Sequence, residues 1–471
     1  MQLSRYYLRQ SCMQKGQINM TSDAAFDSEL KSGREKAAPH APEGAKSARQ
    51  GSLTQAALQA LLSGFFSRLI IKGRLVIRDP WDCVHQFGPD QTPFVRIRIT
   101  TPAAMRNILL WPDLNAGEAY MDGTLVIEEG GLRDFLYLCT LNQAALYSYW
   151  PSRALTALGR ALRKLQQINP RARAAANVAH HYDLSGALYD LFLDADRQYS
   201  CAYFPEGNES LEQAQLRKKQ HIAAKLLLQP GQRVLDIGCG WGGLALHLAQ
   251  TPGTEVTGIT LSQEQWKTAT QRAADAHLSG RTHFHLRDYR DENGEYDRLV
   301  SVGMFEHVGV NHYPAFFNKC RAVLKPDGVG LLHAIGRMEP PAATNPWIRK
   351  YIFPGGYCPA LSEVLGAIEH SGLWVTDIEI LRPHYADTLR HWQERFQASR
   401  DTARALYDER FCRMWEFYLA SCEMSFRTGR MMVFQILFAR NRDAVPRTRA
   451  YMDDAGADPC TEVSGGRQLT G

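Results

Sequence analysis

The amino-acid sequence predicts an α/β protein with a doubly wound, seven-stranded and mainly parallel sheet, preceded by a smaller N-terminal α+β domain. Two observations support this fold class. From residue 183 onward, short apolar runs typical of buried strands alternate with longer helical stretches, as in strand–helix–strand units. One of these runs leads directly into a glycine-rich turn, and open sheets of this kind bind ligands where their strands end.

The chain has 471 residues, which is too long for one ordinary domain. Composition and patterning divide it into five predicted segments. These are a disordered tail (1–52), the N-terminal α+β domain (53–150), a basic amphipathic linker (151–182), the catalytic α/β domain (183–441) and a flexible C-terminal tail (442–471).

Overall composition narrows the class of protein. The net charge of +5, from 54 Lys and Arg against 49 Asp and Glu, is too mild for a dedicated nucleic-acid binder. No apolar run approaches the roughly 20 residues needed to cross a bilayer, and the first residues lack the apolar stretch of a secretory signal. The ten cysteines include no C-x-x-C pair, which disfavours a metal site or a disulfide framework and suits a cytoplasmic setting.

The N-terminal domain shows strand patterns at Arg74–Asp79 and Pro93–Thr100, where apolar and polar residues alternate in the second run. Asp122-Gly123 predicts a hairpin turn between Glu118–Tyr120 and Leu125–Ile127. No set of residues here converges on a catalytic site, so we expect a structural, dimerisation or lipid-docking role.

The linker contains several basic residues and no acid between positions 151 and 180. On a helical wheel its leucines share one arc and its basic residues occupy the other. Such a helix suits an anionic bilayer surface, and it equally suits an interdomain helix that packs its leucines on protein. The basic residues are Arg153, Arg160, Arg163, Lys164, Arg171 and Arg173.

In the catalytic domain, each predicted strand is a short apolar run. These runs are Arg233–Ile237, Glu255–Thr260, Thr282–Leu286, Tyr296–Val302, Val329–Ile335, Trp374–Leu381 and Met432–Phe438. Helices are predicted between most of them, including Ser262–Leu278 and Ala315–Leu324. Two features depart from this alternation: a Pro-rich insertion at Gly336–Ala360 and a long aromatic-rich helical stretch at His391–Arg427.

The strongest local signal is the turn after the first of these strands. Its candidate ligand-binding residues are Val234, Leu235, Asp236, Ile237, Gly238, Cys239, Gly240, Trp241 and Gly242. Glycines let a ligand approach the backbone, and a helix that begins near Gly242 offers free N–H groups. The same letters fit a dinucleotide-binding G-x-G-x-x-G turn. Against that reading, the second strand ends in Thr260 instead of the acid that holds a nicotinamide cofactor's ribose, and Asp236 is placed to meet an amino-acid ammonium group.

Two later stretches extend the candidate site. The first is Thr260, Leu261, Ser262, Gln263, Glu264 and Gln265, which a capping box of Ser262 and Gln265 also explains. The second is Asp288, Tyr289 and Arg290 at the end of the third strand, where a carboxylate and a ring could bind adenine and where a solvated loop would look the same.

Several separated blocks resemble one family in order and spacing. They are His180-His181-Tyr182-Asp183-Leu184-Ser185, Tyr199-Ser200-Cys201-Ala202-Tyr203-Phe204, Gly303-Met304-Phe305-Glu306-His307-Val308-Gly309, Leu331-Leu332-His333-Ala334-Ile335-Gly336, Tyr351-Ile352-Phe353-Pro354-Gly355-Gly356 and Met414-Trp415-Glu416-Phe417-Tyr418-Leu419. Together with the glycine turn, they resemble the cyclopropane-fatty-acyl-phospholipid synthases and the mycolic acid cyclopropane synthases, which have the class I methyltransferase fold. The resemblance covers residues 60 to 440, and Val76–Pro80 makes the longer, phospholipid-acting type the nearer match.

The resemblance implies an S-adenosylmethionine-dependent enzyme that transfers a methylene to the cis double bond of an unsaturated phospholipid acyl chain. It implies a bound bicarbonate as base, held by Cys201, Glu306, His333 and Tyr385. It adds Tyr199 and Ser200 to the cofactor contacts and Cys422 as a cysteine once proposed as a nucleophile. In place of a Gly-Trp-Glu-like sequence of the mycolic-type members, this chain has Tyr289 for the aromatic contact.

Each of these residues also has a structural interpretation. Cys201 could be a small buried apolar residue and His333 a hydrogen-bonded core histidine. His384 offers a competing register for Tyr385, and Cys422 could line the acyl channel, since no cation adjoins it in sequence to lower its pKa.

The expected enzyme is peripheral, at the cytoplasmic face of the membrane, with an anionic phospholipid surface as partner, no nucleic acid and no metal, and a homodimer through the N-terminal segment is an option. Three alternatives stay open: methyl-branching or another modification of unsaturated acyl chains, a lipid-binding protein with a vestigial cofactor fold, and a nicotinamide oxidoreductase. The first would follow from a damaged base cage and the second from lost loop glycines or a missing Glu306, whereas the third is disfavoured at Thr260.

Overall fold

The computed structural model describes residues 43–148, 167, 186–251 and 253–454. Contacts divide the chain into two compact units, 1–53 and 54–471. The first described helix, α1 (Glu43–Leu69), begins inside the segment predicted as a disordered tail. The predicted linker, apart from residue 167, and positions 455–471 of the predicted C-terminal tail lie outside the described residues.

The N-terminal part of the second unit holds a four-stranded sheet. Its strands are β1 (Arg74–Arg78), β2 (Val84–Phe87), β3 (Phe94–Ile99) and β4 (Leu125–Glu129), in the order β2-β1-β3-β4. β1 and β3 are parallel and the outer pairs are antiparallel. The predicted strands at Arg74–Asp79 and Pro93–Thr100 are confirmed, because alternate residues such as Val95, Ile97 and Ile99 fill the core beneath the sheet.

The predicted hairpin at Asp122-Gly123 is wrong. Residues 118–120 lie in helix α3 (Pro112–Met121), which follows α2 (Pro102–Leu110). Pro112 and Asp113 open α3 with signals of a helix N-terminus, and Gly123, at φ +70°, ends it. The N–H of Gly123 donates to the carbonyl of Tyr120, so the dipeptide closes a helix before β4.

The second sheet contains seven strands within the described residues. They are β5 (Arg233–Ile237), β6 (Glu255–Thr260), β7 (Thr282–Leu286), β8 (Tyr296–Val302), β9 (Leu324–Arg337), β10 (Trp374–Leu381) and β11 (Met431–Ala439). The order is β10-β11-β9-β8-β5-β6-β7, and β11 runs antiparallel to both of its neighbours while the other pairs are parallel. The predicted α/β class and the mainly parallel sheet are confirmed.

The remaining helices connect the strands and cover the sheet. They are α4 (Leu132–Leu141), α5 (Gln143–Ser148), α6 (Gly186–Asp190), α7 (Leu211–Lys225), α8 (Gly243–Leu248), α9 (Gln263–Asp275), α10 (Tyr313–Val323), α11 (Pro346–Tyr351), α12 (Leu361–Ser371), α13 (His384–Ala398), α14 (Arg400–Leu406), α15 (Glu409–Arg427) and α16 (Ala450–Asp454). The predicted long helical stretch is therefore divided among α13, α14 and α15. None of the helices in the described ranges is long and apolar enough to cross a membrane.

Helix α15 joins the two sheets into one hydrophobic core, because it packs on α3 and α4 as well as on α13. Gly117 of α3 allows the closest approach: a Cβ there would lie 2.6 Å from Trp347 Nε1 and 2.9 Å from Phe417 Cε1. Arg133 of α4 also donates to the fully buried carboxylate of Glu423 (2.8 and 2.6 Å). These contacts fix α15 against the helices of the N-terminal part, α3 and α4.

Candidate active site

The glycine turn after β5 forms the base of a cavity. Gly238, Gly240 and Gly242 all have positive φ (+82°, +55° and +82°), a conformation that L side chains rarely adopt. A Cβ on Gly240 would meet no atom within 4 Å, so open space lies against the backbone at this point. Helix α8 begins at Gly243, and Gly242 is its N-cap, as the sequence predicted.

Most of the predicted cofactor residues line this cavity. They are Tyr199, Ser200, Asp236, Ile237, Gly238, Cys239, Gly240, Trp241, Thr260, Leu261, Gln265, Asp288, Tyr289 and Arg290. They come from the ends of β5, β6 and β7 and from the segment before α7, so separate parts of the chain meet at one edge of the sheet.

The structure does not place six other predicted contacts at the cavity: Val234, Leu235, Gly242, Ser262, Gln263 and Glu264. Val234 and Leu235 are fully buried within the sheet. Ser262 is the N-cap of α9 and accepts a hydrogen bond from the N–H of Gln265 (3.3 Å). Glu264 accepts one from Trp241 Nε1 (2.9 Å) and so supports the lining from behind.

The cavity is also lined by residues that were not predicted from the sequence: Arg197, Gln198, Leu244, Ile259, Arg287, Val302, Gly303, Met304, His307 and Val308. Several follow β8, where Gly303 has φ +66° and a Cβ would lie 4.0 Å from Ser200 Cβ. Their position after a central strand of an open sheet was the available signal. Burial lowers the pKa of His307 to about 4, so this imidazole is neutral at pH 7.

Asp236 is a buried carboxyl group at the end of β5. Its Oδ2 has no hydrogen-bond partner among the described residues. Burial raises the pKa of Asp236 to about 7, against a smaller opposing effect of the Lys218 charge. A cationic ligand group beside Asp236 would stabilise its ionised form. The Oδ2 of Asp236, unpaired within the described part of the chain, therefore fits an ammonium group bound in the cavity.

Lys218 of α7, also missed, is the cation behind this wall. It is fully buried and donates to Gln198 Oε1 (2.7 Å) and Ser200 Oγ (2.8 Å), two residues that line the cavity. Burial lowers the pKa of Lys218 to about 8, opposed by the nearby charges of Asp194 and Asp196. The lysine therefore orients two cavity side chains and places positive charge near Asp236.

Glu306 lies on a short 3-10 helix (Phe305–His307) just beyond β8. Its Oε1 accepts from the N–H of Ile335 on β9 (2.6 Å), whereas its buried Oε2 has no partner in the described structure. Burial raises the pKa of Glu306 to about 7. A Cβ on Gly238 would lie 2.6 Å from Met304 Cβ, so the segment that carries Glu306 packs against the glycine turn.

His333 lies on β9, two residues before Ile335 and therefore on the same face of the strand. It is buried, and its Nδ1 is 3.1 Å from Gln435 Nε2 on β11. Burial, followed by the charges of Lys218 and Lys225, lowers the pKa of His333 to about 3. The ring is thus a neutral imidazole.

Cys201 and Tyr385 are both buried, and neither is among the residues that line the cavity. Cys201 is buried next to Ser200, and the following N–H, of Ala202, donates to Thr388 Oγ1 on α13 (3.0 Å). Burial raises the pKa of the Cys201 thiol, which stays protonated. His384 Nδ1 is 3.0 Å from the N–H of Phe204, so His384 docks this segment, whereas Tyr385 contacts the rings of Trp392 and Phe426.

An aromatic wall contains Tyr199, which lines the cavity, and five further residues in contact with Tyr199 or with one another: Phe353, Tyr385, Trp392, Tyr418 and Phe426. Tyr199 and Tyr418 share a hydrogen bond between their hydroxyls (2.8 Å), and Tyr199 also lies against Trp392 with ring centroids 5.1 Å apart. Cys422 packs against this cluster, and burial raises the pKa of its thiol to about 12. A thiol with that pKa is protonated at neutral pH, a state that does not favour nucleophilic attack.

Electrostatic interactions connect Cys422 to Glu306 through Cys358. The Glu306 charge contributes, after burial and Arg337, to the pKa of Cys358, and Cys358 in turn affects Cys422. Cys201, Glu306, His333, Tyr385 and Cys422 are not among the residues that line the cavity. Three of them adjoin residues that do line it: Cys201 follows Ser200, Glu306 lies between Met304 and His307, and His333 pairs with Val302 in the sheet.

Comparisons with known proteins show the family of this chain. The family model for mycolic acid cyclopropane synthetase matches residues 169–436. The chain is 38% identical to the cyclopropane-fatty-acyl-phospholipid synthase of Escherichia coli (strain K12) over 344 residues, 73% of this chain and 87% of that protein. It is 42% identical over 279 residues to the tuberculostearic acid methyltransferase of Mycobacterium tuberculosis, covering 56% of this chain and 65% of that protein.

Among solved structures, the chain is similar to a mycolic acid cyclopropane synthase complexed with SAH and CTAB. The TM-score is 0.54 at 35% identity, and the match covers 58% of this chain and 99% of the other. The matched family region contains the glycine turn, Glu306, His333 and Tyr385. This chain therefore belongs to the mycolic acid cyclopropane synthetase family, with the class I methyltransferase fold that its sequence predicts.

Proposed function

We propose that this enzyme, an S-adenosylmethionine-dependent methyltransferase, adds a methylene across the cis double bond of an unsaturated phospholipid acyl chain and forms a cyclopropane. One observation supports this most directly. Glu306 Oε2 is buried without a hydrogen-bond partner among the described residues, and the segment that carries Glu306 contributes Met304 and His307 to the lining of a cavity suited to the methyl donor.

The donor-binding part of the proposal rests on Asp236 and Gly240. S-adenosylmethionine would supply an activated methyl group, and its ammonium would satisfy the unpaired oxygen of Asp236. The open space over Gly240 would let the donor lie against the backbone. Lys218 keeps Gln198 and Ser200 oriented at the cavity wall.

The acceptor-binding part rests on the aromatic wall. An isolated double bond is a weak nucleophile, and when it bonds to the methyl carbon, the sulfur–carbon bond breaks and positive charge develops on the acyl chain. The faces of Tyr199, Trp392 and Tyr385 stabilise such charge and keep out water that would trap it. Loss of a proton from the new methyl group then closes the ring.

The proton must leave through groups on the polar side of the site. A bound bicarbonate would supply the proton acceptor, held by Cys201, Glu306, His333 and Tyr385. With a pKa of about 7, Glu306 can hold or release a proton near neutral pH, and its free Oε2 offers the position for it. The protonated Cys201 thiol and neutral His333 leave the site without a second negative charge.

We place the enzyme at the cytoplasmic face of the membrane, with the basic segment 151–182 on anionic phospholipid. Replacing Arg160, Arg163 and Lys164 with Gln should weaken binding to anionic vesicles and leave binding to neutral vesicles unchanged. Equal binding of both proteins to anionic vesicles would assign that segment a structural role. A homodimer through the N-terminal domain stays a prediction.

The test of function is product analysis. The full chain is incubated with methyl-labelled S-adenosylmethionine and vesicles of cis-unsaturated phospholipid, and the acyl chains are analysed by mass spectrometry before and after mild hydrogenation. A labelled chain that has gained one CH₂ and takes up no hydrogen is the cyclopropane. A labelled chain that takes up hydrogen is the methylene-branched product.

The methyl-branching outcome is kept as the second candidate, because one similar protein is named as a tuberculostearic acid methyltransferase. The two outcomes differ in how the proton leaves. Ring closure is favoured here because the buried carboxyl of Glu306 stands at the site with a free oxygen.

A further inference from the structure

A hydrogen-bonded row of side chains lies behind His333. Gln435 of β11 stands directly opposite His333 of β9 in the antiparallel register, with its Nε2 3.1 Å from His333 Nδ1. Lys225 Nζ of α7 donates to the other end of the same amide, Gln435 Oε1, at 2.7 Å. Lys225 also pairs with Glu379 of β10, which lies 2.7 Å from His221 Nε2. His333, Gln435 and Lys225 are all buried.

The lysine fixes the direction of the amide. A side-chain amide has an oxygen that accepts and a nitrogen that donates, and an ammonium group only donates. Gln435 must therefore turn its oxygen to Lys225 and its NH₂ to His333. A donor facing Nδ1 requires that this nitrogen carry no proton, so the single proton of a neutral imidazole is on Nε2.

The charged groups around His333, Gln435 and Lys225 affect the protonation of Glu379, Lys225 and His333. Burial opposes ionisation of Glu379, but the hydrogen bond from His221 and the Lys225 charge outweigh it and lower the pKa of Glu379 to about 2. Burial lowers the pKa of Lys225, and the Glu379 carboxylate opposes that shift through its charge and its hydrogen bond, which favours the ammonium form. The charged groups that act on His333 are Lys218, Lys225, Glu379 and His221, and both lysines oppose a second proton on the ring.

We propose that Gln435, oriented by Lys225, fixes His333 as the Nε2–H tautomer, so that His333 donates a hydrogen bond at the active site and cannot serve as the base. Gln435 and Lys225 are positioning residues in this scheme. The role of the Nε2 proton in turnover rests on the proposed function, whereas the tautomer itself does not. Proton removal then falls to groups on the side of Glu306.

The tautomer can be observed directly. The full-length protein, labelled with ¹⁵N in its histidine rings, is examined by NMR near neutral pH, and the His333 signals are assigned as those lost in His333→Asn. A protonated and an unprotonated ring nitrogen resonate far apart. An unprotonated Nδ1 with a protonated Nε2 is expected, and a proton on Nδ1 would overturn the proposal.

Gln435→Glu replaces the NH₂ donor that faces His333 with an accepting carboxylate oxygen, and it changes the shape of the side chain very little. A carboxylate accepts at both ends, so Lys225 keeps its partner and the His333 ring should take a proton at Nδ1. Turnover should fall at least about 10-fold while the Kd of S-adenosylmethionine is unchanged. A ring proton that stays only on Nε2 in this variant would show that Gln435 does not set the tautomer.

The matched control is Gln86→Glu. Gln86 also accepts from a cation, Arg74 (2.7 Å), but on the exposed edge of the four-stranded sheet, so the His333 signals and turnover should not change. Should Gln435→Glu fail to fold, the wild-type spectrum alone decides the tautomer. If the ring proton moves and turnover does not, the Nε2 proton does not serve the reaction and that part of the proposal is wrong. Absence of any methyl transfer by the wild type would instead overturn the proposed function and leave the tautomer result standing.

Discussion

The two sheets both bury carboxyl groups, but they treat them in opposite ways. In the four-stranded sheet, Asp79 accepts from the N–H groups of Trp81 and Cys83 (2.9 Å each) and from Gln59 (2.7 Å), and it lies 3.0 Å from His85 Nε2. These hydrogen bonds outweigh burial and lower the pKa of Asp79. The charged form of Asp79 is therefore stabilised by hydrogen bonds within the fold.

At the edge of the seven-stranded sheet, Asp236 and Glu306 each leave one buried oxygen without a partner among the described residues. Burial raises the pKa of both groups to about 7. A buried polar atom without a hydrogen bond destabilises a fold by about 1–3 kcal/mol. The comparison separates an acid whose hydrogen bonds are all made within the fold from two acids that each keep a buried oxygen without a partner in the described part of the chain, and the proposed function assigns those two oxygens to a ligand and to a proton.

The largest expected effect is on turnover in Glu306→Gln. The Gln oxygen still accepts from Ile335, so the free energy of unfolding should stay equal or rise, while turnover on cis-unsaturated vesicles falls by about 100-fold or more because the titrating oxygen is lost. Steady-state kinetics and chemical denaturation measure the two quantities. Wild-type turnover in this variant would remove Glu306 from the reaction.

The next effect concerns pH and stability. Since the folded-state pKa values of Asp236 and Glu306 are raised, their stabilising contribution is present below pH 4 and is lost as pH rises to 7. The contribution is at most on the order of 4 kcal/mol for Asp236 and 3 kcal/mol for Glu306. Denaturation of the wild type and of the double variant Asp236→Asn/Glu306→Gln should show the wild type losing stability relative to the variant across this range. Parallel pH curves would contradict the raised pKa values.

Asp79→Ala should show the opposite combination. Its loss leaves two N–H groups and two side chains without their acceptor, so the free energy of unfolding should fall by about 2–4 kcal/mol. The value of kcat at a temperature where the variant is folded should not change. A fall in kcat with unchanged stability would reverse the comparison between the two sheets.

Asp236→Asn should weaken donor binding. Losing a charge-assisted hydrogen bond of about 1.5–3 kcal/mol corresponds to a rise of roughly 10- to 100-fold in the Kd of S-adenosylmethionine. Calorimetric titration measures this, with Glu306→Gln as the control that keeps Asp236. An unchanged Kd would mean that the ammonium of the donor does not meet Asp236.

The smallest effect is expected for Cys422→Ala. Because the pKa of this thiol is raised to about 12, it is protonated at neutral pH, and kcat should change less than about 3-fold through packing alone. Loss of turnover comparable to that of Glu306→Gln would show that the thiol reacts.

How far the sequence predicts the molecule depends on how local each signal is. The strand bounds at Arg233–Ile237, Glu255–Thr260 and Thr282–Leu286 were predicted as observed, because each is an apolar run between polar turns. The hairpin prediction at Asp122-Gly123 was wrong because the same dipeptide ends a helix, and that helix begins at Pro112.

The site follows the same rule. Asp236 was found because it stands two residues before the glycine turn. Lys218 and Gln435 were not, because each lies in an ordinary helix or strand and takes its meaning from distant partners: Ser200 for one, His333 and Lys225 for the other. Only the folded chain brings those groups into contact.

Proton release on donor binding tests the central claim most directly. The protein is titrated with S-adenosylmethionine at pH 6 in buffers of different ionisation enthalpy, without lipid. If the carboxyl of Asp236, whose Oδ2 has no partner among the described residues, receives the donor's ammonium, it must ionise, so binding should release close to one proton at pH 6, where the α-amino group of the donor is already protonated. Asp236→Asn should abolish the release and Glu306→Gln should keep it. Tight binding by the wild type with no proton released at pH 6 would contradict the account.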